Sequence, residues 1–508
     1  KTLGAQRKQL VGQFLSESVL MVIISLIFAL LIVELIIPSF NQIAGKSIGN
    51  ILSFESTIWI VLLVVVVLIG ILSGSYPAFF LSGFKPNEVI KGKVKVSGSN
   101  ISLRKILVSF QFAISVILSS SIYAQTRYWV FFTDKKGSSL NMEEFHPLAL
   151  ERRVSVGLEG LDSTDLPVSS YYLEQIYGMV RRMGYSSRWL NAVAVEGSKR
   201  QMKKIARLPF VKSVEASQGY FHHSKHSINS LSYSEEIDLL RRQVVRFNGD
   251  EFISKGIDGK GIRIAVFDTG FPGVDTHDAF EHLRRENRIV ATFDFTRNSS
   301  YVYRSNSHGT KVLSCIAGMH DDQPMGLATG ADFLLAITEV SRERFSEEEN
   351  WLAALEWADR NGAQIVNSSL GYTFHRYFPE QMDGKSTFIS RVAAMAAGKG
   401  ILVVNAAGNE GSSRWSIIGS PADADSIISV GGISPDDHLH IQFASHGPTV
   451  DGRMKPNVSA YGVALVANPK GGFEVASGTS FASPLVAGFA ACAWQLNPKA
   501  TAAEMLGL

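Results

Sequence analysis

The chain has 508 residues, 46% of them hydrophobic, and a formal net charge of +3. That is ample material for large cores in two to four domains, and the charge is too small to imply a nucleic-acid partner. Cys315 and Cys492 are the only cysteines; both sit in apolar helical patterns where a buried free thiol is expected, with a disulfide between them as the alternative.

Three apolar stretches come first, at about 15–37, 57–84 and 106–126, each long enough to cross a bilayer as a helix. Lys1, Arg7 and Lys8 precede the first, and Lys85, Lys91, Lys93, Lys95, Arg104 and Lys105 separate the second from the third, whereas the loop between the first two carries only Lys46. The positive-inside rule therefore predicts a cytoplasmic N-terminus and an extracytoplasmic chain after the third span. The first run is too long, and followed by too many others, to be a signal peptide. KTLGAQRKQLVGQFLSES, GSYPAFFLSGFKPNEVIKGK and LRKILVSFQFAISVIL resemble segments of FtsX-like permeases, the membrane subunits of export-type ABC transporters. The resemblance implies a lipid-embedded permease fragment over about 1–127. It also implies a separate ABC ATPase subunit if that part is functional, because the chain has no P-loop motif. In such permeases the last of these spans leads to a large extracytoplasmic domain; here it runs directly into YWVFFTD. The join is either a genuine fusion or two neighbouring reading frames joined artificially.

Residues 128–216 read as a strand (YWVFFTD), helices near 142–157 and 169–184, a strand (WLNAVAVEG), a helix (SKRQMKKIARLP) and a strand (VKSVEA), which makes a small α+β domain. A polar stretch over about 217–250 then reads as a linker open to cleavage. It holds His222, His223 and His226, a solvated group by expectation rather than a metal site, since no carboxylate or Cys accompanies them.

From about 251 onward three separated segments carry chemistry: IRIAVFDTG with Asp268, SHGTKV with His308 and SGTSFASP with Ser480. A serine hydroxyl is a weak nucleophile at neutral pH and needs an imidazole to take its proton and a carboxylate to orient that imidazole. IRIAVFD is a buried parallel-strand pattern that delivers Asp268 to a sheet's carboxyl edge, and His308 and Ser480 each open an apolar helix. In this order, with HGT after the base and GTS before a Pro-containing helix, the chain resembles the subtilisin-like serine peptidases, or subtilases, over about 251–508. The resemblance implies an α/β core with a parallel sheet flanked by helices. It assigns the oxyanion donor to Asn409 of ILVVNAAGNEG together with the backbone N–H of Ser480, and the walls of the substrate pocket to Ser369, Leu370 and Gly371 on one side and Ala406, Ala407 and Gly408 on the other. It also makes 128–216 a prodomain of the Bacteroidetes type that assists folding and blocks the cleft until cleaved. Phe481 follows the nucleophile where the best-known subtilisins carry Met. FASHGPTVDGRMKPNVSAYG matches a further subtilase signature to which no chemistry is assigned.

The expected function is a serine endopeptidase acting on a protein or peptide. It needs no metal or other cofactor for catalysis, with structural calcium left open. The competing function is a transporter-type membrane component carrying an inert or artificially joined protease domain. The expected location is the cell membrane with the protease outside, or secretion if the membrane segment is cleaved off or artificially joined. NPKATAAEMLGL reads as a helix cut short, so the C-terminus is expected to be truncated.

Overall fold

The computed structural model describes residues 7–44, scattered positions between 59 and 75, and residues 126–217, 233–340, 346–373 and 376–507. It divides into two units, Lys1–Ser119 and Ser120–Leu508. In the first, the helix Arg7–Ala44 contains Val11–Leu30, 20 residues of mean hydropathy 2.1. At about 1.5 Å per residue this stretch matches a hydrocarbon core of roughly 30 Å. Leu20, Met21, Ile27 and Phe28 point outward from it. Among the described residues this is the one helix long and apolar enough to cross a membrane. The expected span at 57–84 is described only at a few helical positions, and the one at 106–126 lies outside the described residues except for Thr126. Thr126 does not end a span; it opens a strand.

The second unit begins with an antiparallel sheet of β1 (Thr126–Phe132), β2 (Arg182–Ser187), β3 (Ala192–Gly197) and β4 (Val211–Ser217), in the order β2-β3-β1-β4. Side chains alternate across it. Tyr128, Val130, Phe132, Val193 and Val195 meet Tyr172, Ile176, Met202 and Ile205 in a small core of the domain's own. Trp129, Ala192 and Ala194 face the other way, into the core of the following domain. The helix expected at 169–184 is shorter, Ser170–Tyr177, and β2 occupies the end of that range. RMGYSS is polar, contains a glycine and lies at the sheet edge, so it carries almost no strand signal.

The expected linker is also partly structured. Tyr233–Val245 and Gly249–Ser254 are helical, and Leu239, Leu240 and Val244 are buried. Gln243 donates from Nε2 to Met325 O at 2.8 Å and accepts from Leu465 N at 3.0 Å, so this segment belongs to the following domain. Only 218–232, with His222, His223 and His226, lies outside the described residues there.

The large domain is built on β5 (Arg263–Asp268), β6 (Ile289–Asp294), the short hairpin β7 (Met319–His320) and β8 (Gln323–Pro324), β9 (Asp332–Ile337), β10 (Ile365–Ser368), β11 (Leu402–Ala406), β12 (Ile428–Ile433), β13 (Val458–Tyr461), and the hairpin β14 (Val463–Ala467) and β15 (Phe473–Ser477). Seven of these form one sheet in the order β13-β12-β11-β10-β5-β9-β6, every neighbouring pair parallel. Ile264 and Val266 of β5 enter the core under the helices His308–Ala317 and Thr479–Leu496, while Ala265 and Phe267 enter the core under Ser346–Arg360 and Phe388–Gly398. Both faces are covered, which is why these strands are almost wholly apolar. The chain leaves β5 for β6 and β9 on one side and returns to β10 and β11 on the other. The strand order thus reverses at β5, where ligands bind at the carboxyl edge of such sheets.

Candidate active site

Asp268 is the last residue of β5 and is fully buried. His308 opens its helix, and its Nδ1 lies 2.9 Å from both carboxylate oxygens of Asp268. Gly309 makes that approach possible: a Cβ there would lie 2.5 Å from Gly270 O and 2.9 Å from Asp268 Cβ. Burial opposes charging the imidazole, but the charge and hydrogen bond of Asp268 outweigh it, with Lys311 acting against them; the pKa is raised. Lys311, one turn along, is ion-paired with Glu474 of β15.

Ser480 is the second residue of the helix Thr479–Leu496, in a first turn whose N–H groups lack intrahelical acceptors. The ring of Phe481, the residue after Ser480, lies 5.6 Å from the His308 ring. Pro484 has no N–H, so the Ser480 carbonyl four residues earlier is free of its usual helical partner. Ser369 Oγ takes it, donating at 2.9 Å, while Ser480 Oγ donates to Ser369 O at 3.3 Å. Asn367 Nδ2 donates to Ser369 Oγ at 3.2 Å, and Ser483 Oγ holds Asn367 Oδ1 at 2.9 Å.

Asn409 follows β11. Its Oδ1 accepts from Thr479 N at 2.9 Å and from Thr479 Oγ1 at 3.1 Å. A backbone N–H can only donate, so the orientation of the amide is fixed and Nδ2 is left for another acceptor. Ser369, Leu370 and Gly371 extend from β10, and Ala406, Ala407 and Gly408 extend from or end β11, so the two segments leave the sheet side by side. Asn405 Nδ2 ties them by donating to Leu370 O at 2.9 Å. Gly419 and Ser420 close the space between: Gly419 N donates to Ala407 O at 3.2 Å and Tyr372 N to Ser420 O at 2.7 Å.

The sequence places Thr479 and Pro484 beside the nucleophile in SGTSFASP without showing their hydrogen-bonding roles; Gly419 and Ser420 were missed, because they come from a loop with no local mark. Cys315 and Cys492 are buried free thiols. Among the described residues no group of three or more His, Cys, Asp or Glu is placed to hold a metal ion.

The small domain docks on the helix Ser346–Arg360. Glu356 accepts from Tyr185 Oη at 2.8 Å, Ser187 Oγ at 2.6 Å, and the backbone N–H groups of Arg188 and Trp189 at 3.2 Å each. Asp359 pairs with Arg152 and Arg153, Arg153 also pairs with Asp165, and Lys399 Nζ lies 3.1 Å from Asp165. Trp129 stacks on Phe388 with ring centroids 5.3 Å apart.

Comparison with known proteins agrees with this architecture. The subtilase family model matches residues 259–508. Subtilisin DY of Bacillus licheniformis is 30% identical over 258 residues, which cover 50% of this chain and 85% of that protein. The chain belongs to the subtilase family. Residues 259–508 are its subtilase domain. The serine protease AprX of Bacillus subtilis is 29% identical over 49% of this chain and 60% of its own length. The Arabidopsis thaliana subtilisin-like protease SBT6.1 is 28% identical over 66% of this chain, which spans only 30% of that protein. A cold-adapted subtilisin-like serine proteinase of known structure is 27% identical, with a TM-score of 0.41 over 50% of this chain and 82% of its own. Ahead of this subtilase domain, residues 127–231 match the peptidase S8 propeptide domain of Bacteroidota, and residues 1–86 match the C-terminal domain of FtsX-like permeases.

Proposed function

We propose that this subtilase is an endopeptidase in which His308, oriented by Asp268, takes the proton of Ser480 Oγ as the hydroxyl attacks the scissile carbonyl. A tetrahedral intermediate forms, His308 passes the proton to the leaving amine, and water resolves the acyl-enzyme by the reverse path. Asn409 Nδ2 and the backbone N–H of Ser480 receive the oxyanion. The backbones of 369–371 and 406–408 flank an extended peptide substrate, whose side chain before the scissile bond enters the space above Gly419. The observation that carries this reading is the contact of His308 Nδ1 with both Asp268 oxygens, beside the helix turn that begins with Thr479 and Ser480. A fluorophosphonate probe, which reacts only with an activated serine, tests it. It should label the purified chain and not its Ser480→Ala variant, and a wild-type chain that stays unlabelled after the propeptide is removed overturns the reading.

The propeptide domain blocks the cleft until the chain is cut between the sheet strand ending at Ser217 and the helix beginning at Tyr233. The permease-like part anchors the chain with three spans and a cytoplasmic N-terminus, leaving the protease outside; the match to FtsX-like permeases and the apolar Val11–Leu30 support this. Labelling of single cysteines introduced at 46 and 95 with a membrane-impermeant maleimide should mark 46 and spare 95 in intact cells.

A further inference from the structure

The loop that carries Asn409 is held by a second set of contacts besides those with Thr479. The Glu410 carboxylate folds back on the backbone, and its Oε2 accepts from Asn409 N at 2.8 Å. The same oxygen accepts from Ser445 Oγ at 3.2 Å, and Ser445 Oγ in turn accepts from Glu410 N at 3.1 Å. Ser445 N donates to Gly408 O at 2.9 Å and Gly411 N to Phe443 O at 2.8 Å, so residues 408–411 are laced to 443–445 along their length. Ser445 is fully buried. Space beside the loop is filled by the same atoms: a Cβ on Gly408, whose φ is +113°, would lie 2.6 Å from Glu410 Oε2 and 2.9 Å from Ser445 Oγ. A Cβ on Gly411 would lie 2.2 Å from Ala444 O. The glycines of AAGNEG are thus required by the clasp itself.

We propose that Glu410 and Ser445 are positioning residues for the oxyanion donor: together they fix the Asn409 backbone so that its amide, steadied by Thr479, meets the developing oxyanion. This rests on the proposed role of Asn409. It gives a function to the FASHGP segment, to which the sequence alone assigned none. A hydrogen-bond donor serves a transition state only if it is already in place, since reorienting it during the reaction forfeits its stabilisation. Asn409 has one side-chain anchor, Thr479, and a backbone that must take an unusual turn after Gly408. The clasp supplies the second fixed point. Glu410 acts here as a hydrogen-bond acceptor, a part an amide oxygen can also play. Burial keeps its carboxyl pKa raised, against the hydrogen bonds from Asn409 and Ser445.

The test is a double-mutant cycle on the mature enzyme obtained from the full 508-residue chain in detergent once the propeptide has been cut off, with kcat and KM read on a chromogenic peptide and active sites counted by the endpoint of fluorophosphonate titration. Glu410→Ala should lower kcat about 10- to 100-fold, the scale of a misplaced catalytic group, with KM little changed. Glu410→Gln should restore most of it. In an Asn409→Ala background, Glu410→Ala should cost nothing further, because the group it acts through is gone. Ser445→Ala, which removes one hydroxyl, should follow the same pattern more weakly and serves if Glu410→Ala fails to fold. The proposal is overturned if Glu410→Ala lowers kcat by the same factor with and without Asn409, if its effect falls on KM alone, or if Gln is as damaging as Ala. Activity that persists in Ser480→Ala would instead overturn the underlying assignment of the site.

Discussion

Ser369 and Ser480 exchange hydrogen bonds: each hydroxyl donates to the other's carbonyl, at 2.9 Å from Ser369 and 3.3 Å from Ser480. The Ser480 hydroxyl is therefore held at the carbonyl of a residue proposed above to line the substrate pocket. On that proposal, an extended peptide pairing with this carbonyl would compete for it and free the hydroxyl to turn toward His308.

Two variants separate the parts of this pair. Ser480→Ala should lower kcat by about 10⁶, the loss recorded when a subtilisin loses its triad serine. Ser369→Ala leaves the carbonyl in place but removes the bond to Ser480 O and the acceptor of Asn367 Nδ2, so a loss of about 10-fold or more is expected, on the scale of one or two buried hydrogen bonds. Steady-state kinetics on a peptide substrate measures both.

The pH profile follows from the Asp268–His308 contact. A raised imidazole pKa means that the base is protonated, and useless, up to a higher pH than for a free histidine, about 6.5. The acid limb of kcat/KM should therefore lie above that value. Asp268→Asn removes the influence that raises it and leaves the burial that lowers it. The limb should move downward while kcat falls by about 10⁴, as in the Ser-His-Asp template.

Maturation should cut the chain within 218–232. The segments on either side are a sheet strand ending at Ser217 and a helix with Leu239 and Leu240 buried, both poor protease substrates. Mass spectrometry of the purified chain should find the new N-terminus in that interval, and Ser480→Ala should stay intact. A cut in Ser480→Ala would assign the cleavage to another protease.

Docking of the small domain should depend on pH. Burial raises the Glu349 carboxyl to about 7, against the pull of Arg127 3.0 Å away, and it also raises Glu356. Release exposes these groups and returns them toward about 4.3, so docking takes up protons. The docked state is fully favoured below the free value and loses that advantage as pH rises through about 7. His146, held below its ordinary value chiefly by burial, acts in the opposite sense. After cleavage, the small domain should co-elute with the enzyme better at pH 6 than at pH 8, and Glu349→Gln should flatten that difference. Glu356→Ala, which strands four donors, should weaken retention at every pH by about 10-fold or more.

The Asp268–His308 contact and the helix start at Thr479 and Ser480 were legible because they rest on features that leave local marks. AVFDTG, ILVVNAAGNEG and SGTSFASP each join a buried apolar element to a turn, and their order along the chain is enough to suggest which edge of the sheet they share. What escaped the sequence reading depends on tertiary context. β2 is an edge strand of polar residues, so its pairing is set by β3 rather than by any pattern of its own. The helix Tyr233–Val245 was hidden by the polarity of YSEEIDLLRRQVV, although Ile237, Leu240 and Val244 carry the helical spacing. The clasp at Glu410 was out of reach because Ser445 meets it only through folding, across a long stretch of chain. The FtsX-like match ends at residue 86, short of the expected boundary near 127.

The docked sheet also bears on how quickly the protein can fold. Every pairing in the seven-stranded sheet is parallel and needs a crossover, and β5 must wait for β9 and β10, so the large domain is dominated by contacts distant in sequence. Such topologies have high contact order and fold slowly, because the entropy of closing long loops is lost before the contacts that compensate it form. The small domain closes its sheet within one short segment and finishes before the β5 strand begins. Trp129, Tyr185 and Ser187 then offer Phe388 and Glu356 a preformed surface, and the helix Ser346–Arg360 can settle on it before its own sheet is complete. Such a surface would lower the barrier by replacing a distant encounter with a local one, which is the folding assistance that the resemblance of 128–216 to subtilase prodomains implies.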